Sequence, residues 1–336
     1  MIKILYITSS TSDYLSDSLF HGFRTLFGSN VVDYPKADIM YNTLDPNFLK
    51  NLHGKGFTCY GLLDDIEIDR YNIVEKVKEG YYNLIIFSSI QRQFGLYTQL
   101  FPWLKFNNTI IVDGEDTPSL FKYNGNYFRN FHFNLLPNAH KFFLYFKREW
   151  SLEMLDYLYY KLLPDFIIKF LKFPKNLRQI SFSIPETKIC NTIPIKTKLF
   201  ASHIVDPEVR DRIMGSSINY LFDNEYDYYN DLKISKFAIT TKRAGWDCIR
   251  HYEIAANRCV MCFKELEKKF IKSAPHGLNK SNCIIYKDYN DLNFQVSNLT
   301  NDEYLILQEN SYKWIKSKTT INIALQVLSE LNLKHV

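Results

Sequence analysis

Basic residues that precede a short helical segment are the strongest sign of chemistry in this chain. Lys242 and Arg243 form a basic turn, and Gly245 gives this turn flexibility. Asp247 stands just before the first helical residue, where a carboxylate can accept hydrogen bonds from the free amides of the first turn. We therefore predict that Asp247 is the N-cap of a helix that begins beside a basic loop.

The predicted helix has a polar face, because polar residues recur three or four positions apart. The residues of this face are Asp247, Arg250, Glu253 and Asn257. A helix N-terminus carries unpaired amides and a partial positive charge, so it suits an anion such as phosphate. Glu253 lies about two turns into the helix and can accept hydrogen bonds from sugar hydroxyls. On pattern alone, an amphipathic helix with a merely solvated polar face is an equal alternative.

Residues 250–260, RHYEIAANRCV, resemble the donor-site helix of GT-B glycosyltransferases, in which a Glu precedes small residues and a hydrophobic strand. The resemblance implies that Glu253 binds the ribose or the sugar of a nucleotide-sugar donor. The chain departs from the pattern at Arg258, where Gly is usual, and at Met261, where Pro is usual. Many retaining members carry a second Glu eight residues earlier. Gly245 stands there, so the resemblance does not extend to a retaining mechanism.

Phosphate binding by this region follows from its charges. Preorganised amides and cations stabilise the negative charge that develops on a diphosphate leaving group. Arg250 can reach the phosphates or pair with Glu253 three residues on. The predicted donor-binding residues are Lys242, Arg243, Gly245, Asp247, Arg250 and Glu253. Because these groups can hold the diphosphate and no D-x-D triplet follows a strand, we expect no obligatory metal and no other cofactor.

An inverting transferase also needs a general base near the acceptor hydroxyl. Ligands of parallel sheets bind at the carboxyl ends of strands. The charged residues at these positions are Asp13, Asp64, Asp65, Asp113, Glu115, Asp116, Lys147 and Arg148, and most of them are expected to be turn residues or caps. Asp13 follows the first strand and is the first candidate, with Asp113 and Glu115 in reserve. His203 and His251 are alternative bases or ligands, although a structural histidine is the more common outcome for each.

Apolar runs alternate with helical segments along the chain, a rhythm that predicts an α/β fold with parallel sheets. Residues 2–8 form a continuous apolar run typical of a buried parallel strand, and a helix over residues 14–27 follows it. Together with the resemblance, this pattern predicts two Rossmann-like domains that face each other across a cleft. We expect an acceptor-side domain over residues 1–178. A nucleotide-sugar-binding domain follows over residues 179–336, with a last helix that crosses back.

Three further segments carry predictions. Residues 57–63 are predicted to form the third strand of the chain, and residues 141–146 the last strand of the first domain. Residues 150–173 are rich in Leu, Tyr, Phe and Ile at helical spacing, with charged residues between them. A buried interdomain helix fits this pattern better than an amphipathic pair that touches lipid.

Composition excludes several classes of function. The chain has 336 residues and a net charge of +5, with no dense run of Lys and Arg, which argues against a nucleic-acid partner. No window of ~18 uncharged apolar residues is present, so no membrane span is expected. The N-terminus lacks the pattern of a secretory signal. We expect a cytoplasmic protein, with peripheral contact to the inner face of the membrane as an option.

The resemblance to GT-B enzymes implies a hexosyltransferase-like glycosyltransferase. It would move a sugar from a nucleotide-sugar donor to a glycan, lipid-linked or protein acceptor in the synthesis of cell-surface polysaccharide or glycoconjugate. Two alternatives share the architecture. One is a nucleotide-sugar epimerase. The other is a non-catalytic nucleotide- or glycan-binding protein, which gains weight from the departures at Arg258 and Met261.

Overall fold

The computed structural model describes residues 2–9, 11–121, 138–154, 164, 167, 172–213, 216–217 and 221–331. These residues form two parallel β-sheets with helices packed against them. We call residues 2–182, which carry the first sheet, the first half. Residues 198–331, which carry the second sheet, are the second half.

The first sheet has six strands, all of them paired in parallel. They are β1 (Ile4–Ile7), β2 (Val31–Tyr34), β3 (Leu84–Phe87), β4 (Thr109–Asp113), β5 (Leu144–Lys147) and β6 (Leu177–Gln179). Their order across the sheet is β2-β1-β3-β4-β5-β6. After β1 the chain continues to β2 on one side, and after β3 it continues to β4 on the other side. A topological switch point therefore lies between β1 and β3. Ligands of open α/β sheets bind at such a point.

The second sheet has four parallel strands in the order β10-β9-β8-β7. They are β7 (Lys198–Phe200), β8 (Ser235–Thr240), β9 (Val260–Lys264) and β10 (Ile284–Tyr286). The central strands β8 and β9 are almost fully buried, as expected of parallel strands covered on both faces.

The helices of the described chain connect these strands and cover the sheets. They are α1 (Tyr14–Phe27), α2 (Pro46–Leu49), α3 (Ile73–Lys78), α4 (Phe94–Leu100), α5 (Ala139–Phe142), α6 (Pro207–Arg210), α7 (Glu225–Ile234), α8 (Ile249–Ala256), α9 (Tyr289–Asn298), α10 (Asn301–Lys316) and α11 (Thr320–Ser329). Side-chain caps define several of their starts. Asp206 caps α6, Asn224 caps α7, and Thr300 forms a capping box with Glu303 at α10.

One apolar core runs through both halves. Ile4 and Tyr6 point from β1 into this core, which also contains Ala238 of β8 and Met261 of β9. The other face of the first sheet has its own core, and so does the other face of the second sheet. The shared core joins the two sheets into one continuous packing arrangement.

Helix α11 returns to the first half and packs against α1. His21 of α1 lies 3.0 Å from the hydroxyl of Thr320, measured from its Nδ1 to Oγ1. At Gly22 a Cβ atom would lie 2.1 Å from the carbonyl oxygen of Thr320 and 3.1 Å from Cβ of Ala324. The backbones of the two helices approach this closely only because Gly22 has no side chain.

Most predicted elements are present, and the helix predicted over residues 14–27 has the observed bounds. The strand predicted over residues 57–63 is wrong, because positive φ angles at Thr58 and Gly61 turn the chain. Strand β6 was not predicted, since it has three residues and two of them are polar. Of residues 141–146, the first two belong to α5 and the strand begins at Leu144.

Two other predictions are not settled by these elements. Most of the segment predicted as helical over residues 150–173 lies outside the described residues, and the domain boundary at residue 178 stays a prediction. Within the described part of the chain, no helix has both the length and the apolar character needed to cross a bilayer.

We expect Gly22→Ala to destabilise the protein by about 1–3 kcal/mol, because the added methyl group overpacks the contact between α1 and α11. Gly95→Ala is the matched control, since Gly95 lies in α4 and a Cβ atom there meets nothing within 4 Å. The control should gain about 0.5–1 kcal/mol from the lower entropy of the unfolded chain. Urea denaturation measures both. Equal free energies of unfolding for the two variants would contradict the close packing.

Candidate active site

A cavity of about 580 Å³ lies where the carboxyl ends of the two sheets meet. The first half contributes the loops that follow all six of its strands, including Gly54 and Phe57 after β2. The second half contributes the loops that follow β7 and β8, together with the first turns of α8. The charged and histidine residues of its wall are Asp13, Arg92, Glu115, Asp116, Arg148, His203, Arg243, Asp247, Arg250 and Glu253. The size and the mixed charge suit a polar ligand with anionic groups.

Helix α8 is buried at all eight of its residues, so the alternative of a solvated polar face is wrong. Glu253 is 5% exposed, and its Oε2 accepts a hydrogen bond of 2.8 Å from the hydroxyl of Tyr228. Its Oε1 accepts a hydrogen bond from the hydroxyl of Thr58, a residue of the first half. Burial raises the pKa of Glu253, and these two hydrogen bonds oppose the shift.

Arg250 lies one turn before Glu253 on the same wall of the cavity. Its Nη1 donates to the hydroxyl of Tyr228 at 3.2 Å, and its Nη2 donates to the backbone carbonyl of His203 at 2.5 Å. Arg250 and Glu253 are thus connected through Tyr228. Among the described residues no ion pair joins the two directly, which corrects that part of the prediction.

The prediction that Asp247 caps α8 is wrong. The helix begins at Ile249, and its N-cap is Cys248, whose side chain makes no capping hydrogen bond. The carboxylate of Asp247 instead accepts from the backbone amide of Phe182 at 2.9 Å and from the hydroxyl of Tyr252 at 3.0 Å. Burial raises the pKa of Asp247 to about 6.

Glu149 is the reason for this displacement of the helix start. Its buried Oε1 accepts from the backbone amides of Trp246 at 2.8 Å and Asp247 at 3.0 Å. A Cβ atom at Gly245 would lie 2.5 Å from this oxygen, so only glycine permits the contact. Arg148 donates to the carbonyl of Asp247 at 2.8 Å. Sequence reasoning missed Glu149 as a site residue, and its only signal was the position after β5.

The two basic residues of the predicted phosphate turn have different surroundings. Arg243 is exposed and lines the cavity, and its backbone amide donates to the carbonyl of Gly245 at 3.0 Å. Lys242 places its Nζ 5.4 Å from the ring centroid of Trp246, and it is not among the residues of the cavity wall. Of the pair, Arg243 is the residue positioned to meet a ligand.

Asp13 caps α1 and also faces the cavity. Its Oδ1 accepts from the backbone amides of Leu15 at 3.1 Å and Ser16 at 3.3 Å. Its Oδ2 lies 2.5 Å from Nη1 of Arg92. Arg92 is 39% exposed and also approaches Glu115 at 3.9 Å. Sequence reasoning did not select Arg92, although its position after β3 is next to the switch point.

The two reserve carboxylates, Glu115 and Asp113, differ in their position relative to the cavity. Glu115 lies on the cavity wall, and partial burial raises its pKa. Asp113 is buried behind the wall, where it accepts from Nζ of Lys147 at 2.8 Å and from the hydroxyl of Tyr145. It also accepts from the backbone amide of Glu115 at 3.1 Å. Asp113 therefore holds the loop that presents Glu115 and does not itself reach the cavity.

The two candidate histidines also differ in their position relative to the cavity. His203 lies on the cavity wall. His251 is fully buried in α8, with its Nε2 3.1 Å from the hydroxyl of Thr240 and its ring 4.7 Å from that of Phe263. Burial, aided by the charge of Arg250, lowers the pKa of His251 to about 3. His251 has the surroundings of a structural histidine.

The buried carboxyl group of Asp17 contacts the backbone of Asp13. Asp17 accepts a hydrogen bond of 2.8 Å from the backbone amide of Asp13, and its side chain also bonds to Tyr60. Burial, followed by the charge of Asp13, raises the pKa of Asp17 to about 8. Asp17 is therefore mostly protonated at neutral pH. This residue was not singled out from the sequence.

Comparison with known proteins bears on the fold. No family model and no curated protein matches the chain. Among solved structures, HepE of Anabaena in complex with UDP and glucose is 11% identical, with a TM-score of 0.54 over 99% of this chain and 100% of that one. HepE with UDP-glucose is 11% identical, with a TM-score of 0.51 over 98% and 99%. A glycosyltransferase from Rickettsia africae is 10% identical, with a TM-score of 0.50 over 99% of both chains. The chain has the GT-B fold. The predicted pair of parallel sheets across a cleft is thereby confirmed.

Metal binding in this GT-B chain stays a matter of prediction. In the part of the chain that the structure describes, no group of three or more His, Cys, Asp or Glu side chains is placed to hold a metal ion. The expectation that donor binding needs no metal has not been tested by this observation.

Asp17 predicts a pH dependence of stability. Its pKa is higher in the folded state, about 8, than the ordinary value of 3.8, so the folded protein binds the proton more tightly. The resulting stabilisation is complete below about pH 4 and is lost as the pH rises towards 8, with a slope of at most ~1.4 kcal/mol per pH unit. Asp17→Asn should remove this slope in urea denaturation between pH 5 and 8. The exposed Asp302→Asn should keep it; identical slopes for all three proteins would refute the assignment.

Proposed function

We propose that the chain is a glycosyltransferase that moves a sugar from a nucleotide-sugar donor to an acceptor hydroxyl. The observation that carries the proposal is the position of Glu253. This buried carboxylate lies on the wall of the interdomain cavity, in the helix where the resemblance implies a contact to the donor. UDP, glucose and UDP-glucose are bound by HepE, which has a similar fold, and this supports UDP-glucose as the first donor to test.

The donor would lie against the second half. Each carboxylate oxygen of Glu253 has accepted one hydrogen bond from the protein, which leaves lone pairs for two ribose hydroxyls. Arg243 presents an exposed guanidinium at the cavity for the phosphates. Arg250 lies on the same cavity wall and adds a second guanidinium for the phosphates.

The acceptor would lie against the first half. In an inverting displacement the acceptor oxygen bonds to the anomeric carbon while the bond from that carbon to the diphosphate oxygen breaks. The acceptor proton passes to a base, and the nucleoside diphosphate leaves with the electron pair of the broken bond. Asp13 is our first candidate for this base, with Glu115 as the alternative on the same wall. Arg92 pairs with Asp13 and approaches Glu115, so the two carboxylates lie beside one guanidinium.

The class of product follows from the same proposal. We expect a hexosyltransferase in cell-surface polysaccharide or glycoconjugate synthesis, with a glycan, lipid-linked or protein acceptor. We propose that the reaction takes place in the cytoplasm. For a lipid-linked acceptor the site would work at the inner face of the membrane.

Nucleotide binding is the first test of the donor site. In a thermal-shift panel of UDP, GDP, ADP, TDP, CDP and CMP, we expect one nucleotide to stabilise the wild type. At about 100 times its dissociation constant it adds about 2.7 kcal/mol. Glu253→Gln should lose this shift because an amide replaces an acceptor of two ribose hydroxyls. Arg243→Ala should lose more affinity than Lys242→Ala, since only Arg243 lines the cavity.

The exposed Glu267→Gln is the matched control for Glu253→Gln, because Glu267 lies away from the cavity wall. It should keep the wild-type shift. A panel in which no nucleotide stabilises the wild type, or in which Glu253→Gln responds like the wild type, would remove the donor-site assignment.

Transfer assays test the base. Asp13→Asn should lower kcat by about 10²–10⁴-fold and leave nucleotide binding intact, because it removes the proton acceptor and keeps the side-chain shape. Its control is Glu115→Gln, which should have the smaller effect. The reverse order would assign the base to Glu115. Conversion of a nucleotide sugar without any acceptor would indicate an epimerase, and donor binding without turnover would indicate a binding protein.

A further inference from the structure

Thr58 has an unusual backbone conformation beside the donor site. Its φ angle is +76°, a left-handed region that β-branched residues rarely adopt. Such a conformation persists only when surrounding contacts hold it in place, and it is concentrated at functional sites. Thr58 therefore calls for an explanation in terms of what its side chain contacts.

The hydrogen bonds with side chains that Thr58 makes within the described part of the chain go to the second half. Its backbone amide donates to Oε1 of Glu225 at 2.5 Å, and its hydroxyl lies 2.9 Å from that of Tyr229. Nearby, Nζ of Lys55 donates to Asp223 at 2.6 Å, and the ring of Phe57 stacks on Tyr228 with centroids 6.1 Å apart. The segment over residues 54–58 thus extends from the first half and packs against α7 of the second half.

These contacts with α7 place the Thr58 hydroxyl within hydrogen-bond distance of Glu253. The hydroxyl donates to Oε1, and the Tyr228 hydroxyl donates to Oε2. A buried carboxylate keeps its charge and its orientation only when donors surround it. One lone pair of each carboxylate oxygen accepts a hydrogen bond from the protein. The remaining lone pairs are available to a ligand in the cavity.

We propose that Thr58 is a positioning residue of the donor site, which fixes the Glu253 carboxylate to receive the two hydroxyls of a ribose. The inference rests on the proposed function, because it assumes that Glu253 contacts the ribose of a ribonucleoside diphosphate. Its new content is that a residue of the opposite half determines how well the site distinguishes ribose from 2′-deoxyribose.

The test compares the affinities of UDP and 2′-deoxy-UDP by calorimetry in the wild type and three variants. Thr58→Val removes the hydroxyl and keeps the shape. Thr58→Gly removes the hydroxyl and suits the positive φ angle, so it folds even if the valine variant does not. Thr58→Ser keeps the hydroxyl. The wild type should prefer UDP, and Val and Gly should lose about tenfold in UDP affinity, the effect of one hydrogen bond to a charged group.

The ratio of the two affinities separates the possible results. The proposal expects the preference for UDP to collapse in Thr58→Val and Thr58→Gly, because 2′-deoxy-UDP loses less than UDP, and to survive in Thr58→Ser. A wild-type preference that persists in the valine and glycine variants would overturn the role of Thr58 and leave the ribose contact standing. Tighter UDP binding by these variants would mean that the hydroxyl blocks the site, which also overturns the proposal. Equal binding of both nucleotides by the wild type would overturn the ribose contact itself.

Discussion

The geometry of the cleft depends on the hydrogen bonds that the buried carboxylate of Glu149 accepts. This carboxylate comes from the first half and accepts hydrogen bonds from the backbone amides of Trp246 and Asp247 and from the hydroxyl of Ser273 at 2.7 Å, all in the second half. A charge removed from water is stable only with such a set of donors. The contact also requires glycine at position 245, where a side chain would collide with Glu149. The loop before α8 is therefore shaped by the opposite half of the protein.

This constraint explains why the polar residues of α8 face inward. All eight residues of α8 are buried, so its polar side chains have little contact with bulk solvent. They are satisfied instead by specific partners, since Tyr228 accepts from Arg250 and donates to Glu253. A buried polar network of this kind defines one arrangement of its members, because any alternative leaves a donor or acceptor unpaired. A ligand that enters the cavity meets groups that are already oriented.

The sequence predicted those features that depend on local interactions. The helix over residues 14–27 could be predicted because Asp13 supplies its N-cap and Gly28 its end. The buried strands could be predicted because their apolar runs are continuous. The predictions failed where distant residues decide the conformation. Asp247 looks like a cap from its neighbours, but Glu149 draws the chain away from that geometry. Thr58 lies in a segment whose sequence resembles a strand, and contacts with the second half hold its left-handed conformation.

The segment around Thr58 also connects the two sides of the cavity. Thr58 contacts Glu253, and Tyr60, two residues on, bonds to Asp17, which accepts from the amide of Asp13. The cavity wall that carries Glu253 and the wall that carries Asp13 are therefore both supported by residues 58–60. Displacement of this segment would remove a hydrogen-bond donor from Glu253 at Thr58 and a contact to Asp17 at Tyr60. Thr58 and Glu253 are 195 positions apart in the sequence, so only the packing of the two halves brings this donor to this carboxylate.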